Sequence, residues 1–272
     1  MNERASGARK MRSRLLHILL AFLILYIVPI SYQLAAHHFE WKPAIAWASG
    51  KSKSEQLAED PTKTNDAIIQ VYAARAARWR GSLGVHTWIA VKKSDEDFYT
   101  RLEVIGYALR WGNQTVQLRR SQPDRNWYGN PPELLRELRG GDNVDKLIDR
   151  VFDLASNYQY NNQYHVWPGP NSNTFVAHLV RQIPELSVDL PPTALGKDFL
   201  PGNKLFGKPA SGKGFQLSIN GLFSVILSTE EGFELNLLGA TAGLDLSPPA
   251  IKLPAVGRIG MQDTKRISLQ EN

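Results

Sequence analysis

Gly84 to Lys92 reads GVHTWIAVK, and its alternation decides the fold class. Val85, Thr87, Ile89 and Val91 share one face of an extended strand, which leaves His86, Trp88 and Ala90 on the other. Upstream, Ala67 to Arg75 (AIIQVYAAR) is a second β-branched and aromatic run, and it also reads as a strand. Downstream, the short charged connection Lys93 to Asp97 leads into Tyr99 to Leu109, a third strand expected to pair antiparallel with the second. Thr115 to Arg119 adds a fourth. The hydrophobic period then changes. Pro131 to Arg139 opens with two prolines suited to a helix N-terminus, and Val144, Leu147, Ile148, Val151 and Leu154 recur at helical spacing up to Ala155. After Tyr164 to Trp167 and the break Pro168-Gly169-Pro170, Asn171 is placed to cap a helix. Its apolar stripe is Phe175, Val176, Leu179, Val180 and Ile183, and Pro184 ends it. Beyond Pro191-Pro192 the chain is Gly-rich, and Gln216 to Leu227 with Phe233 to Leu238 predicts a hairpin around Glu230, Glu231 and Gly232. Strands, then helices, then strands make an α+β domain.

Toward the N-terminus, Leu15 to Ser31 is almost wholly apolar, and extension to Ala36 gives a helix able to span a hydrocarbon core of about 30 Å. Arg4, Arg9, Lys10, Arg12 and Arg14 precede it, so the positive-inside rule keeps the tail cytoplasmic and sends the rest of the chain across. A cleaved signal peptide has the same layout. Its cleavage motif is weak here, since Gln33 to Ala36 offers only Leu-Ala-Ala, and the apolar run is longer than a usual signal core. Trp41, Lys42 and Trp47 follow where an interfacial aromatic belt would lie. The expected organisation is a basic tail (1–14), a transmembrane anchor (15–36), a juxtamembrane linker (37–66), the α+β domain (67–200) and a Gly-rich β-hairpin extension packed on it (201–272). Removal of residues 1–48 is expected to leave a soluble domain.

The chain has 272 residues, a hydrophobic fraction of 43% and a net charge of +6. Much of that charge is the basic tail, so no basic patch is expected on the folded domain and nucleic acid is excluded as a partner. Zero cysteines exclude disulfides, thiolate metal sites and a cysteine nucleophile. Gly202 to Lys208 matches a phosphate-binding loop until Pro209 stands where a hydroxyl residue is needed, and Gly207 to Gly214 is a second near miss. The six histidines show no metal-ligand spacing, so neither a cofactor nor a metal is expected.

One constellation has the right chemistry. Ser172 opens the helix capped by Asn171, where unpaired N–H groups and positive potential favour an anion. His86 on its strand is a candidate base, and Glu103 on the next strand is placed to orient it. Trp88, Trp167, Asn171, Asn173 and Thr174 are candidate ligand contacts.

A strand histidine followed much later by Asn171-Ser-Asn-Thr-Phe-Val176 resembles the circularly permuted papain-like fold of NlpC-type peptidases and lecithin:retinol acyltransferase-like proteins. The resemblance covers about residues 67–183 and implies His86 as base and Ser172 at the nucleophile position, with an antiparallel sheet and packed helices. Serine stands where those families carry cysteine, and a hydroxyl is far less acidic than a thiol. The longer strings RWRGSLGVHTWIAVK, EVIGYALRWG, PDRNWYGNPPELL, WPGPNSNTFV, PELSVDLPPTALGKDFL and KLPAVGRIG resemble an uncharacterised bacterial family, domain of unknown function 3750, to which no activity is attached.

Two functions follow as expectations. The first is a single-pass protein of the bacterial inner membrane, its C-terminal domain exported to the periplasm, whose papain-like cleft binds a peptidoglycan peptide or a lipid acyl group without efficient catalysis. The second is an envelope hydrolase or acyltransferase in which Ser172 attacks an amide or ester, His86 moves the proton and Glu103 orients the imidazole.

Overall fold

A computed structural model describes residues 2–39 and 53–269 of the chain. Helix α1 (Asn2–Phe22) runs through a π-helical turn, Leu23–Ile27, into α2 (Val28–Phe39). Within it, Lys10–Ala36 is long and apolar enough to cross a membrane, with a mean hydropathy of 2.3. The aromatic belt expected at Trp41, Lys42 and Trp47 lies outside the described residues.

Two sheets follow. The first holds β1 (Ala67–Arg75), β2 (Val85–Lys92), β3 (Thr100–Val104), β4 (Val116–Arg120), β5 (Glu133–Gly140) and β13 (Arg266–Ser268), in the order β13-β5-β1-β2-β3-β4. All its pairings are antiparallel except β13 with β5. Ile69, Val71, Ile89, Val91 and Leu102 cover one face and pack against α3 (Asp142–Ser156) and α4 (Ser172–Arg181). Ile68, Tyr72, Ala74 and Trp88 cover the other, beneath Leu57, Ala58 and Trp127.

The stretch expected as a linker is docked from Lys53 onward. Asp124 accepts a hydrogen bond from Ser54 Oγ at 2.7 Å and from the Leu57 amide at 2.6 Å, which draws Leu57 and Ala58 onto the sheet. Two further expectations are corrected. The third strand stops at Val104, and Gly106–Trp111 turns into a 3-10 helix that ends at Gly112 in a left-handed conformation. The stretch Pro131 to Arg139 leads into an edgeward strand, β5, rather than a helix. Its pairing with β1 slips between Val71 and Tyr72, so Leu134 faces the Tyr72 side and Leu138 the Ile69 side. A bulge thus gives a strand whose apolar residues are spaced by four.

The second sheet is an antiparallel meander of β6 (Phe206–Gly207), β7 (Phe215–Ile219), β8 (Phe223–Ser228), β9 (Gly232–Leu237), β10 (Ala240–Leu246), β11 (Pro249–Leu253) and β12 (Gly257–Gly260). Gln216 to Leu227, read as one arm of a hairpin, is itself a hairpin turning at Asn220 and Gly221, both at positive φ. The face turned toward the first domain is polar. There Glu234 joins the buried Lys197 and Lys252, and Lys252 also meets Asp189.

Candidate functional site

Alternation along β2 sets the geometry. Thr87 points at α4, where its hydroxyl donates to Asn173 Oδ1 at 3.0 Å. His86 therefore points to the opposite face, where its ring stacks on Trp127 at 3.7 Å and 8° between planes. Trp127 is delivered there by a tight turn in which Trp127 and Asn130 exchange both backbone hydrogen bonds. The two central residues, Tyr128 and Gly129, sit at φ of 49° and 82°, as such a turn requires.

Glu103 lies beside His86, and the expected pairing is present: Nε2 is 3.1 Å from Oε2. Burial alone would raise the Glu103 carboxyl, but the hydrogen bond from His86 and the charge of Arg101 hold it down at about 2. Burial also lowers the His86 pKa, so the imidazole is neutral. A carboxylate only accepts, so the neutral ring must carry its proton on Nε2 and keep Nδ1 as an acceptor. Arg101 completes the cluster. It donates to Glu103 at 2.8 Å and lies over Trp88 at 4.1 Å, and the ring stands in for partners that buried Nε and Nη1 lack.

On the far side of β2, Asn171 caps α4 by accepting from the Asn173 and Thr174 amides at 2.9 and 3.1 Å, and its own amide donates to Val166 and Leu195 carbonyls. Asn173 is likewise occupied, donating to Val85 and Leu195. Ser172 is buried in the first turn. No hydrogen bond joins it to His86 among the described residues. The expectation that His86 faces Ser172 as base to nucleophile is thus corrected in one respect: they belong to opposite faces of β2, because residues 86 and 87 must diverge.

Both nonetheless line one cavity of about 770 Å³, which opens past the end of β2. Trp167, Asn171 and Asn173 line it as expected. Trp88 and Thr174 do not: Trp88 is buried under the sheet, donating to Pro123, and the Thr174 hydroxyl is bound to Gly196. Residues missed in the sequence supply most of the wall, notably Tyr107, Trp127, Tyr128 and Leu238, with Ile30 reaching in from the N-terminal helix. The only sequence signal for them was the aromatic string around Trp127.

Elsewhere Asp189, Asp245 and Asp263 approach one another closely enough to hold a cation. Arg258 and Lys252 already neutralise them.

Residues 66–199 match the family model described as Protein of unknown function (DUF3750). No curated protein and no solved structure matches the chain.

Proposed function

For a chain whose residues 66–199 form a domain of the DUF3750 family, we propose a membrane-anchored binding protein whose cavity takes the acyl chain of a lipid. The observation that carries this reading is the wall itself: aromatic and aliphatic side chains dominate, with a helix that can cross a membrane contributing Ile30. Pockets of this size and character bury small ligands through apolar contact, with a few polar groups fixing orientation. His86, which lines the cavity, lies at that polar end. A peptide, the other expected ligand, needs backbone partners along a groove, and the amides of Asn171 and Asn173 are already committed.

One observation favours an enzymatic second reading, the hydrolase or acyltransferase of a papain-like cleft. His86 is neutral, carries its proton toward Glu103 and leaves Nδ1 free, which is the tautomer a general base needs. Against it stands the placement of Ser172 on the other face of β2. In the binding reading the cleft remains and the chemistry does not. The periplasmic orientation belongs to the same proposal and rests on the basic tail.

The test is equilibrium binding of radiolabelled palmitate to the detergent-solubilised full chain. Saturable binding that is lost in Val166→Trp, at the half-exposed rim of the cavity, and kept in Ser172→Ala is expected. Unsaturable partitioning, or loss only in Ser172→Ala, overturns the reading.

A further inference from the structure

An antiparallel sheet with one face in water normally turns its apolar residues inward and its polar residues out. The seven-stranded sheet does the reverse. Its inward positions include Gln216, Ser218, Glu234, Asn236, Asp245 and Lys252, all buried. Its outward positions include Phe215, Leu227, Phe233, Leu244, Ile251 and Ile259, each between 46% and 56% exposed. Those six form one unbroken row. Phe215 stands opposite Leu227, Leu227 opposite Phe233, Phe233 opposite Leu244, Leu244 opposite Ile251, and Ile251 opposite Ile259. At about 4.8 Å per strand the row crosses roughly 24 Å. Soluble monomers rarely leave so large a contiguous apolar patch in water.

The occupant of that face is indicated by what already sits on it. Tyr26, in the apolar helix, donates its hydroxyl to the Leu235 carbonyl at 2.8 Å. Ala242, opposite Leu235, points outward yet is only 6% exposed. Tyr26 and Pro29 are buried, whereas the helix from Lys10 to Leu25 is exposed all round. The lengths then fix the depth of the domain. Leu15 to Leu25, ahead of the first contact, cover roughly 16 Å at about 1.5 Å per residue, half of a hydrocarbon core of about 30 Å. The other half of the span comes from the segment beyond it, which meets the sheet at Tyr26 and then packs on the turn Arg78–Ser82.

We propose that the outward face of the seven-stranded sheet is immersed in the acyl-chain layer of the leaflet in which the second half of the helix ends. The surface is a lipid-contacting platform continuous with the helix, and every strand but β6 in the sheet adds a residue to its central row. The inward ion-pair network follows from the same inversion. With the apolar side chains turned to lipid, polar ones make the contact with the first domain and satisfy one another there. This inference stands whether or not the cavity holds an acyl chain.

The chain has no cysteine, so single cysteines can be labelled uniquely. Nitroxides at Leu227→Cys, Phe233→Cys and Ile251→Cys, and at Arg150→Cys on the exposed side of α3, are read in the full chain reconstituted in phosphatidylcholine–phosphatidylglycerol vesicles. Collision with oxygen is expected to exceed collision with a water-soluble nickel chelate at all three sheet positions, with the order reversed at Arg150→Cys. A label at Leu19→Cys reads the helix separately, so a lipid-like helix beside a water-like sheet overturns the platform while leaving the anchor. Dipolar broadening at Leu227→Cys that disappears on dilution with unlabelled chain identifies a second copy as the occupant and also overturns it.

Discussion

At His86 one proton sets the chemistry. Glu103 holds it on Nε2, and both groups lose their native state in acid, in two windows. His86 has a folded pKa below its usual 6.5, so the stability tied to its neutral form is complete above 6.5 and falls as pH drops below it. Glu103 is depressed from 4.5 to about 2, so its contribution is complete above 4.5 and is lost between 4.5 and 2. That contribution is on the order of 3 kcal/mol. Chemical denaturation of Glu103→Gln at several pH values is expected to show a lower stability at pH 7 and a shallower decline below pH 4.5 than the unmodified protein. An unchanged acid limb would mean that Glu103 is not held as described. A second test concerns Ser172. Alkylation of Ser172→Cys by iodoacetamide is expected to proceed at the same rate with His86→Ala added, since the imidazole lies across β2. A rate that falls would restore the pair. The contact between His86 and Glu103 was legible in sequence because it needs only strand alternation and an antiparallel neighbour. Trp127, which stacks on His86, was not, because it arrives on a turn whose position depends on the whole sheet.

Among the elements, β1 was readable to the residue and α4 at its start, because local signals agree there. Ala67–Arg75 is β-branched and bounded by turns, and Asn171 provides a cap that no competing structure offers. β5 was misread for the opposite reason: its prolines and its leucines four apart satisfy a helix pattern, and only the bulge beside Tyr72 reconciles them with a sheet. The cap also carries a prediction. Asn171→Ala removes the acceptor for two amides and the donor to Val166 and Leu195, so it is expected to lower stability by about 2 kcal/mol or more. Asn171→Asp keeps the acceptor and is expected to recover only part of that loss, because Oδ atoms cannot donate. Urea unfolding of the three proteins checks the order; equal losses would show that the cap contributes nothing.

For the whole molecule, the N-terminal helix is a structural part of the domain rather than a tether. Ile30 lines the cavity and Tyr26 seals part of the meander, so deletion of residues 1–48 uncovers apolar surface that was already extensive. The shortened chain is expected to stay dependent on detergent or vesicles, and size-exclusion chromatography without either reads this directly: a monodisperse monomer would contradict it. Hydropathy reveals the helix because the almost unbroken apolar run from Leu15 to Ser31 needs no partner to be recognised. The meander hides in the same sequence, since alternation does not say which side faces water.

Ile30 in the cavity wall has one more consequence. A ligand arriving along that helix never leaves the leaflet, so occupancy would follow its mole fraction among neighbouring lipids rather than its concentration in water. Two molecules with identical acyl chains but different aqueous solubility would then compete as equals, and dilution of the surrounding buffer would leave the bound fraction where it was.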